Sequence, residues 1–246
     1  MNEELIRRAE DLARRCEKTG SVTHSAFLTP AEQYALRKWR PAADCTVLFH
    51  GGVPEAERAA AFFLPDWMDP ADFDPAETVR CVRVTAHFGE PGHRDYLGSL
   101  MGLGVRREWL GDILIQDSVA HVLCLNTVER EILTLEKVGR CGVKTASVPL
   151  SEVLVPERKV RPVSFTVQSS RFDAVLAGLF RLSRTAAADH IRAGDASLNY
   201  AECLRPDAPV EPGDVLSLRG YGKARVAGLG GQSRKGRLFI TGEVYC

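Results

Sequence analysis

The sequence predicts an α+β protein in three parts: a helical/αβ N-terminal segment, a plait of strands and helices in the middle, and a small C-terminal α+β unit. Three observations carry this. Some segments place apolar residues at helical spacing, while others are short runs rich in β-branched residues. Proline-containing breaks, Pro65 to Pro75 and Pro156 to Pro162, separate the groups of elements. A length of 246 residues suits two or three compact domains. The expected parts are residues 1–75, 76–155 and 160–246.

Leu5, Ala9, Leu12, Ala13 and Cys16 share one helical face, and Gly20 ends that helix. Thr29-Pro30-Ala31-Glu32 has the form of a capping box with proline at the first helical position, opening a helix that runs to about Trp39. Thr46 to Phe49 reads as a strand, His50 to Pro54 as a turn, and Glu55 to Phe63 as a third helix. Glu55, Glu57 and Arg58 would then lie on a solvated helix face with ion pairs along it.

From Thr78 to Val148 the pattern alternates. Val79 to His87, Asp112 to Gln116, Val119 to Leu125 and Val143 to Val148 read as strands. One helix is expected over about Asp95 to Leu103, and another from Asn126 as cap with Glu129 three residues on. This βαββαβ order is that of the ferredoxin-like plait, which RRM domains share. An RRM stacks bases on aromatic residues of its third strand. Here that strand, Ala120-His121-Val122-Leu123-Cys124, has none, so the topology is expected without that chemistry. His93-Arg94-Asp95 is similar to a kinase catalytic loop, but Leu100 stands where a metal-binding Asn belongs, and no Gly-rich loop or Asp-Phe-Gly exists. Asp95 suits the positive end of a helix. His93 and Arg94, with His87, are candidates for a second RNA contact.

In the C-terminal part Ser170 reads as a helix cap with Asp173 in the first turn, and Phe172, Val175, Leu176 and Leu179 on one face. Ser183 caps a second helix that stops at Gly194. Ala196 to Leu198 is strand-like, Asn199-Tyr200 is a turn, and Pro212-Gly213-Asp214 is a turn before the strand Val215 to Arg219. A last strand is expected over Arg237 to Thr241. Arginines gathered at a helix N-terminus make a phosphate site.

Composition narrows the classes. From Arg161 onward there are 12 Lys plus Arg against 8 Asp plus Glu, a net of +4 that offsets −4 in the rest of a neutral chain. No apolar run is long enough to span a membrane, and the first residues lack a signal peptide's pattern. Seven scattered cysteines without a C-x-x-C pair argue against a zinc site or disulfide framework. They point to a reducing cytoplasm, with most of them as small buried residues and Cys246 exposed. There is no P-loop, H-E-x-x-H, G-x-S-x-G or G-x-G-x-x-G, so no cofactor, metal or small-molecule substrate is expected.

The ordered set Arg171-x-Asp173, Ser183-Arg184, Ala187, Ile191, Gly194, Asn199 and Pro212-Gly213-Asp214 resembles the RNA-binding domain named after ribosomal small-subunit protein four, the S-four domain. Phe172 stands where that domain usually carries Leu. Further motifs extend over nearly the whole chain: Phe27-Leu28-Thr29-Pro30, Gly51-Gly52 with Glu55-Ala56-Glu57-Arg58, His93-Arg94-Asp95, Leu103-Gly104-Val105, Gly111-Asp112-Ile113, Val138-Gly139-Arg140 and Arg219-Gly220-x-Gly222. Together they resemble the bacterial YlmH family. Lys223-Ala224 departs from the basic-aromatic pair expected there, while Lys223 and Arg225 keep the charge.

The resemblance implies a non-catalytic RNA-binding protein that contacts ribosomal RNA of the large subunit and tRNA, in quality control of stalled peptidyl-tRNA with alanine tailing. The expected RNA-binding residues are Arg171, Ser183, Arg184 and Arg192, extended by Lys223, Arg225, Arg234, Lys235 and Arg237. Two other classes stay open. One is an RNA-modifying enzyme of the pseudouridine-synthase-like class, whose Gly-Arg-Leu-Asp nucleophile motif has only Arg171-Phe172-Asp173 as its nearest string. The other is an interaction adaptor in cell division.

Overall fold

The computed structural model describes residues 3–156, 159–232 and 236–245, and is mixed α+β throughout. The chain forms two compact units, Met1–Pro156 and Glu157–Cys246.

The first unit opens with α1 (Glu3–Thr19), which buries Ala9, Ala13 and Cys16 on the apolar stripe legible in the sequence. It lies on a three-stranded antiparallel sheet of order β1-β3-β2, built from β1 (Thr23–Leu28), β2 (Cys45–His50) and β3 (Ala59–Pro65). Between β1 and β2 stands α2 (Pro30–Arg37). Its capping box is present: Glu32 N donates to Thr29 Oγ1 at 3.3 Å, and Thr29 N donates to Glu32 Oε2 at 2.7 Å.

The helix expected over Glu55 to Phe63 is absent. Ala59 onward is instead the central strand β3, buried along its whole length. Ala60, Phe62 and Leu64 enter one core, and Ala61 and Phe63 enter another. A strand covered on both faces reads as an unbroken apolar run, which periodicity cannot tell from a buried helix. The solvated face assigned to Glu55, Glu57 and Arg58 is absent with it. Arg58 is half-buried and donates to the carbonyls of Leu110 and Phe27, both at 2.9 Å. Asp112 accepts the backbone N–H groups of Glu57 and Arg58 at 2.6 and 3.0 Å. Burial, followed by the nearby Arg107 charge, lowers the Arg58 pKa. These residues tie the three-stranded sheet to the next one.

That next sheet has the order β5-β6-β4-β8-β7 and is antiparallel throughout. Its elements in chain order are β4 (Val79–Ala86), α3 (His93–Gly102), β5 (Leu110–Gln116), β6 (Val119–Leu125), α4 (Glu129–Leu133), β7 (Lys137–Val138) and β8 (Cys141–Val148). Asn126 does not cap α4. It lies in a 3-10 turn, and its Nδ2 donates to Glu77 O at 2.8 Å.

The two faces of this sheet meet different partners. Val82, Val84, Ala120 and Val122 pack with Tyr96 and Leu100 of α3 and Ile132 of α4. On the opposite face Cys81, Leu123, Leu125 and Val148 pack with Phe27, Phe62 and Leu64 of the N-terminal sheet. The strand on which an RRM would stack bases is therefore largely covered by protein.

The second unit is a six-stranded antiparallel sheet of order β11-β10-β12-β13-β14-β9 with two helices against it. In chain order these are β9 (Val160–Val167), α5 (Phe172–Phe180), α6 (Arg184–Arg192), β10 (Ala196–Leu198), β11 (Ala201–Glu202), β12 (Val215–Leu218), β13 (Gly222–Gln232) and β14 (Leu238–Tyr245). Phe172, Leu176 and Leu179 of α5 are fully buried, each contributing about 1.5–3 kcal/mol of apolar burial. Gly178 lets α5 approach β9: a Cβ there would sit 2.2 Å from the Phe165 ring. Arg171, not Ser170, is the residue at the α5 N-cap. The Ser170 carbonyl accepts the Val210 N–H at 2.8 Å, which holds that segment in extended pairing. The hairpin between β10 and β11 turns at Asn199 and Tyr200, with φ of +50° and +66°.

Candidate nucleic-acid interface

One carboxylate of the second unit joins two of its arginines. Asp173, in the first turn of α5, is only 5% exposed, and its side chain is gripped from two sides. Arg171 donates through Nε to Oδ1 and through Nη2 to Oδ2, each at 3.2 Å. Arg184, the first residue of α6, donates through Nε to Oδ2 at 3.1 Å and through Nη2 to Oδ1 at 3.5 Å. The guanidiniums themselves stay accessible, with side-chain exposures of 41% for Arg171 and 52% for Arg184. Burial alone would raise the Asp173 carboxyl, but hydrogen bonds from Arg171 and Arg184 outweigh it and hold it below the usual carboxylate range.

Local sequence explains the arrangement. The α5 N-terminus favours an anion in its first turn, which Asp173 supplies. α5 ends at Arg181 in the left-handed conformation (φ +57°), and the chain turns directly into α6. Ser183 caps α6, its Oγ accepting Ala186 N–H at 3.1 Å, and this brings Arg184 back beside Asp173. Two arginines are thus fixed at adjoining helix N-termini, each with guanidinium donors facing solvent.

The other expected residues are distributed as follows. Arg192, in the last turn of α6, donates to Asp189 at 3.1 Å and is exposed. Arg225 of β13 pairs with Glu243 of β14 at 3.0 Å. Arg237 donates to Thr166 O at 2.8 Å. Arg234 and Lys235 lie outside the described residues, as does Cys246. Lys223 stands 5.3 Å from the Tyr200 ring centroid and 6.0 Å from that of Tyr245. Ala224 is fully buried, so an aromatic side chain there would enter the core and not a binding face. The aromatic partners of the Lys223 charge come instead from the β10–β11 turn and the end of β14.

Two features were not read from sequence. Asp173 is the anchor of the arginine pair and not a simple cap. Arg219 is also part of the basic surface, donating to Asp195 at 3.1 Å, with His190 on the other oxygen at 3.3 Å. The Arg-x-Asp spacing at 171–173 was the available signal for the first. In the first unit, His93 and Arg94 are exposed in the first turn of α3, where Asp95 accepts Gly92 N–H at 2.9 Å. They belong to α3, which packs on the face of the five-stranded sheet that carries Val82 and Val84. Among the described residues no group of His, Cys, Asp and Glu could hold a metal ion, and no helix is long and apolar enough to cross a membrane.

Comparison with known proteins gives three results. Residues 1–63 match the family model "YlmH, N-terminal", and residues 70–152 match "Putative RNA-binding domain in YlmH". A curated relative from Bacillus subtilis (strain 168), "Ribosome-associated protein quality control protein P2", is 31% identical over 218 residues, covering 88% of this chain and 85% of its own length. A solved structure, "Cell division protein ylmH from Streptococcus pneumoniae", superposes with a TM-score of 0.52 at 17% identity, covering 61% of this chain and 93% of that one, a likeness of fold.

Proposed function

The chain belongs to the YlmH family, and from that premise we propose that it is a non-catalytic RNA-binding protein of ribosome-associated quality control. Its partners are ribosomal RNA of the large subunit and tRNA, and its setting is the stalled peptidyl-tRNA that receives an alanine tail. The second unit, whose sequence resembles an S-four domain, is the main contact. The observation that carries this is the Asp173 fork: a buried carboxylate that presents two exposed guanidiniums in fixed orientation.

The chemistry fits structured RNA. Guanidinium donors held at helix N-termini suit phosphate oxygens, and folded RNA is read through its backbone and shape. The fork takes one face of each guanidinium for the carboxylate and leaves the remaining N–H donors outward. Arg192 and Lys223 extend the cationic surface.

Co-sedimentation with purified large subunits tests the assignment. Arg184→Ala and Arg192→Ala should each weaken binding and lower the slope of log K against log salt by about 0.7–0.9. Unchanged sedimentation in both would remove the face from consideration. The absence of catalysis is tested separately: ribosomal RNA from a deletion strain keeps its full nucleoside composition, and a missing modification would overturn the binding-protein reading.

A further inference from the structure

The open half of the five-stranded sheet in the first unit carries a second cationic surface. Strand register defines it. Directly paired residues of an antiparallel sheet share a face, and alternate residues along a strand do too. Cys81, Leu123 and Val148 mark the face covered by the N-terminal sheet. Continuing along the same face beyond that cover, β4 presents Arg83 and Thr85, and β8 presents Ala146 and Lys144. β7 adds Lys137, which pairs with Gly142, while His121 of β6, opposite Arg83, is buried and marks the inner limit of the open part. His87 follows on from β4: its N–H donates to Gly142 O at 2.9 Å, and a Cβ at Gly142 would press on its ring at 3.3 Å.

Arg83, His87, Lys137 and Lys144 are all exposed. Among the described residues no ion pair involves Arg83, Lys137 or Lys144. Arg80, on the opposite face, does reach a carboxylate, Glu129 at 3.9 Å. The open face positions in β4, β6, β7 and β8 contain no Asp or Glu. Burial, followed by the Arg83 charge, lowers the His121 pKa.

We propose that this face binds the phosphate backbone of RNA through Arg83, Lys137 and Lys144, as a contact separate from the arginine fork. The inference rests on the RNA-binding function argued above. Cations in neighbouring strands, without carboxylates of their own, match a phosphate chain. An acidic protein partner would need a broad apolar centre for its interface, and the positions between the three cations are small or polar, Thr85, Gly142 and Ala146, with the aliphatic Val119 beside them opposite Thr85. Phe88, 61% exposed and next to His87 in sequence, supplies a ring on which an unpaired base can stack. The stacking residue absent from the third strand is thus provided by the loop after the first.

The full-length protein, photo-crosslinked to purified large ribosomal subunits, gives nucleotide-bearing peptides by mass spectrometry. Adducts are expected within 83–88 and 137–144. Adducts confined to 160–246 would overturn this inference and leave the proposed function standing, whereas no adducts anywhere would overturn both. In the triple variant Arg83→Ala, Lys137→Ala, Lys144→Ala the salt slope should fall by about 2–3, at 0.7–0.9 per contact. An unchanged slope refutes the contact. A lowered slope without RNA adducts assigns the face to an acidic protein surface and refutes it equally.

Discussion

The two cationic faces of this protein are built on opposite principles. In the second unit each leading arginine has a carboxylate: Arg171 and Arg184 share Asp173, Arg192 has Asp189, and Arg225 has Glu243. In the first unit Arg83, Lys137 and Lys144 meet a solvent-facing sheet without ion pairs among the described residues. A paired arginine gives up part of its field but keeps one orientation. An unpaired lysine keeps its full charge and its rotamer freedom, and is strongly hydrated. The first arrangement suits recognition of one folded surface. The second suits attraction to any nearby phosphate, with weaker geometric demand.

Removing the shared carboxylate should separate these principles most sharply. Asp173→Asn breaks charge-assisted hydrogen bonds to two guanidiniums and should destabilise the second unit by about 2 kcal/mol. The change adds one positive charge to the unit. Affinity for the large subunit should nevertheless fall several-fold, because the arginines lose their fixed geometry. A rise in affinity would mean that the carboxylate only masks charge, and the distinction between the faces would collapse. The triple alanine variant of the sheet face should leave unfolding within about 0.5 kcal/mol of the parent, as exposed substitutions usually do. Thermal unfolding followed by amide hydrogen exchange of each unit reads both effects.

Acid should expose the same contrast at two different pH values. Asp173 has a lowered pKa in the fold, so its stabilisation is complete above the unfolded value of about 3.9 and is lost as pH falls through the folded pKa. His50 and His121 in the first unit also have lowered pKa values, chiefly through burial. A histidine held neutral by the fold must charge on unfolding, so its contribution begins to fade below about pH 6.5. Hydrogen exchange across pH 7 to 3 should show the first unit loosening from near pH 6.5 and the second only below about pH 4. A simultaneous loss would remove these groups as the controlling ones.

Helix capping offers a smaller test. Ser183→Ala should cost about 1 kcal/mol, because the Ala186 N–H loses its acceptor at the start of α6. That helix start positions Arg184, so binding should weaken slightly in parallel with stability. A binding loss larger than that of Arg184→Ala would assign the Ser183 hydroxyl a direct contact with RNA.

Legibility in the sequence followed the physics of each element. Thr29-Pro30-Ala31-Glu32 and Ser183 were readable because caps depend on side chains within three residues. The turns at Asn199-Tyr200 and Gly213 were readable because they need positive φ. β3 was misread because its polar face does not exist: both sides are buried by elements remote in sequence. β1 escaped for a related reason, since Thr23 to Leu28 mixes polar and apolar residues and pairs only with β3. The arginine fork was half legible. Its residues stood out by type, but Arg184 meeting Asp173 is a tertiary contact set by the α5–α6 turn. The cationic sheet face was hidden altogether, because Arg83, Lys137 and Lys144 become neighbours only through the registers of β4, β7 and β8.

Arg192 gives the finest discrimination between the two designs. Its pair with Asp189 is exposed on both sides, with side-chain exposures of 63% and 66%, and lies within one helix. Such a pair adds little stability, so Arg192→Ala should change unfolding by less than about 0.5 kcal/mol. In structure Arg192 therefore resembles Lys144 more than Arg184, although it belongs to the second unit. If orientation governs the second unit's contact, Arg192→Ala should lower the salt slope by about 0.7–0.9 and leave the crosslink pattern at Arg171 and Arg184 unchanged. If net charge governs it, Arg192→Ala and Arg184→Ala should weaken binding equally. Titration of both variants against large subunits at several salt concentrations decides between them, because only the orientation model makes Arg184→Ala clearly the more damaging.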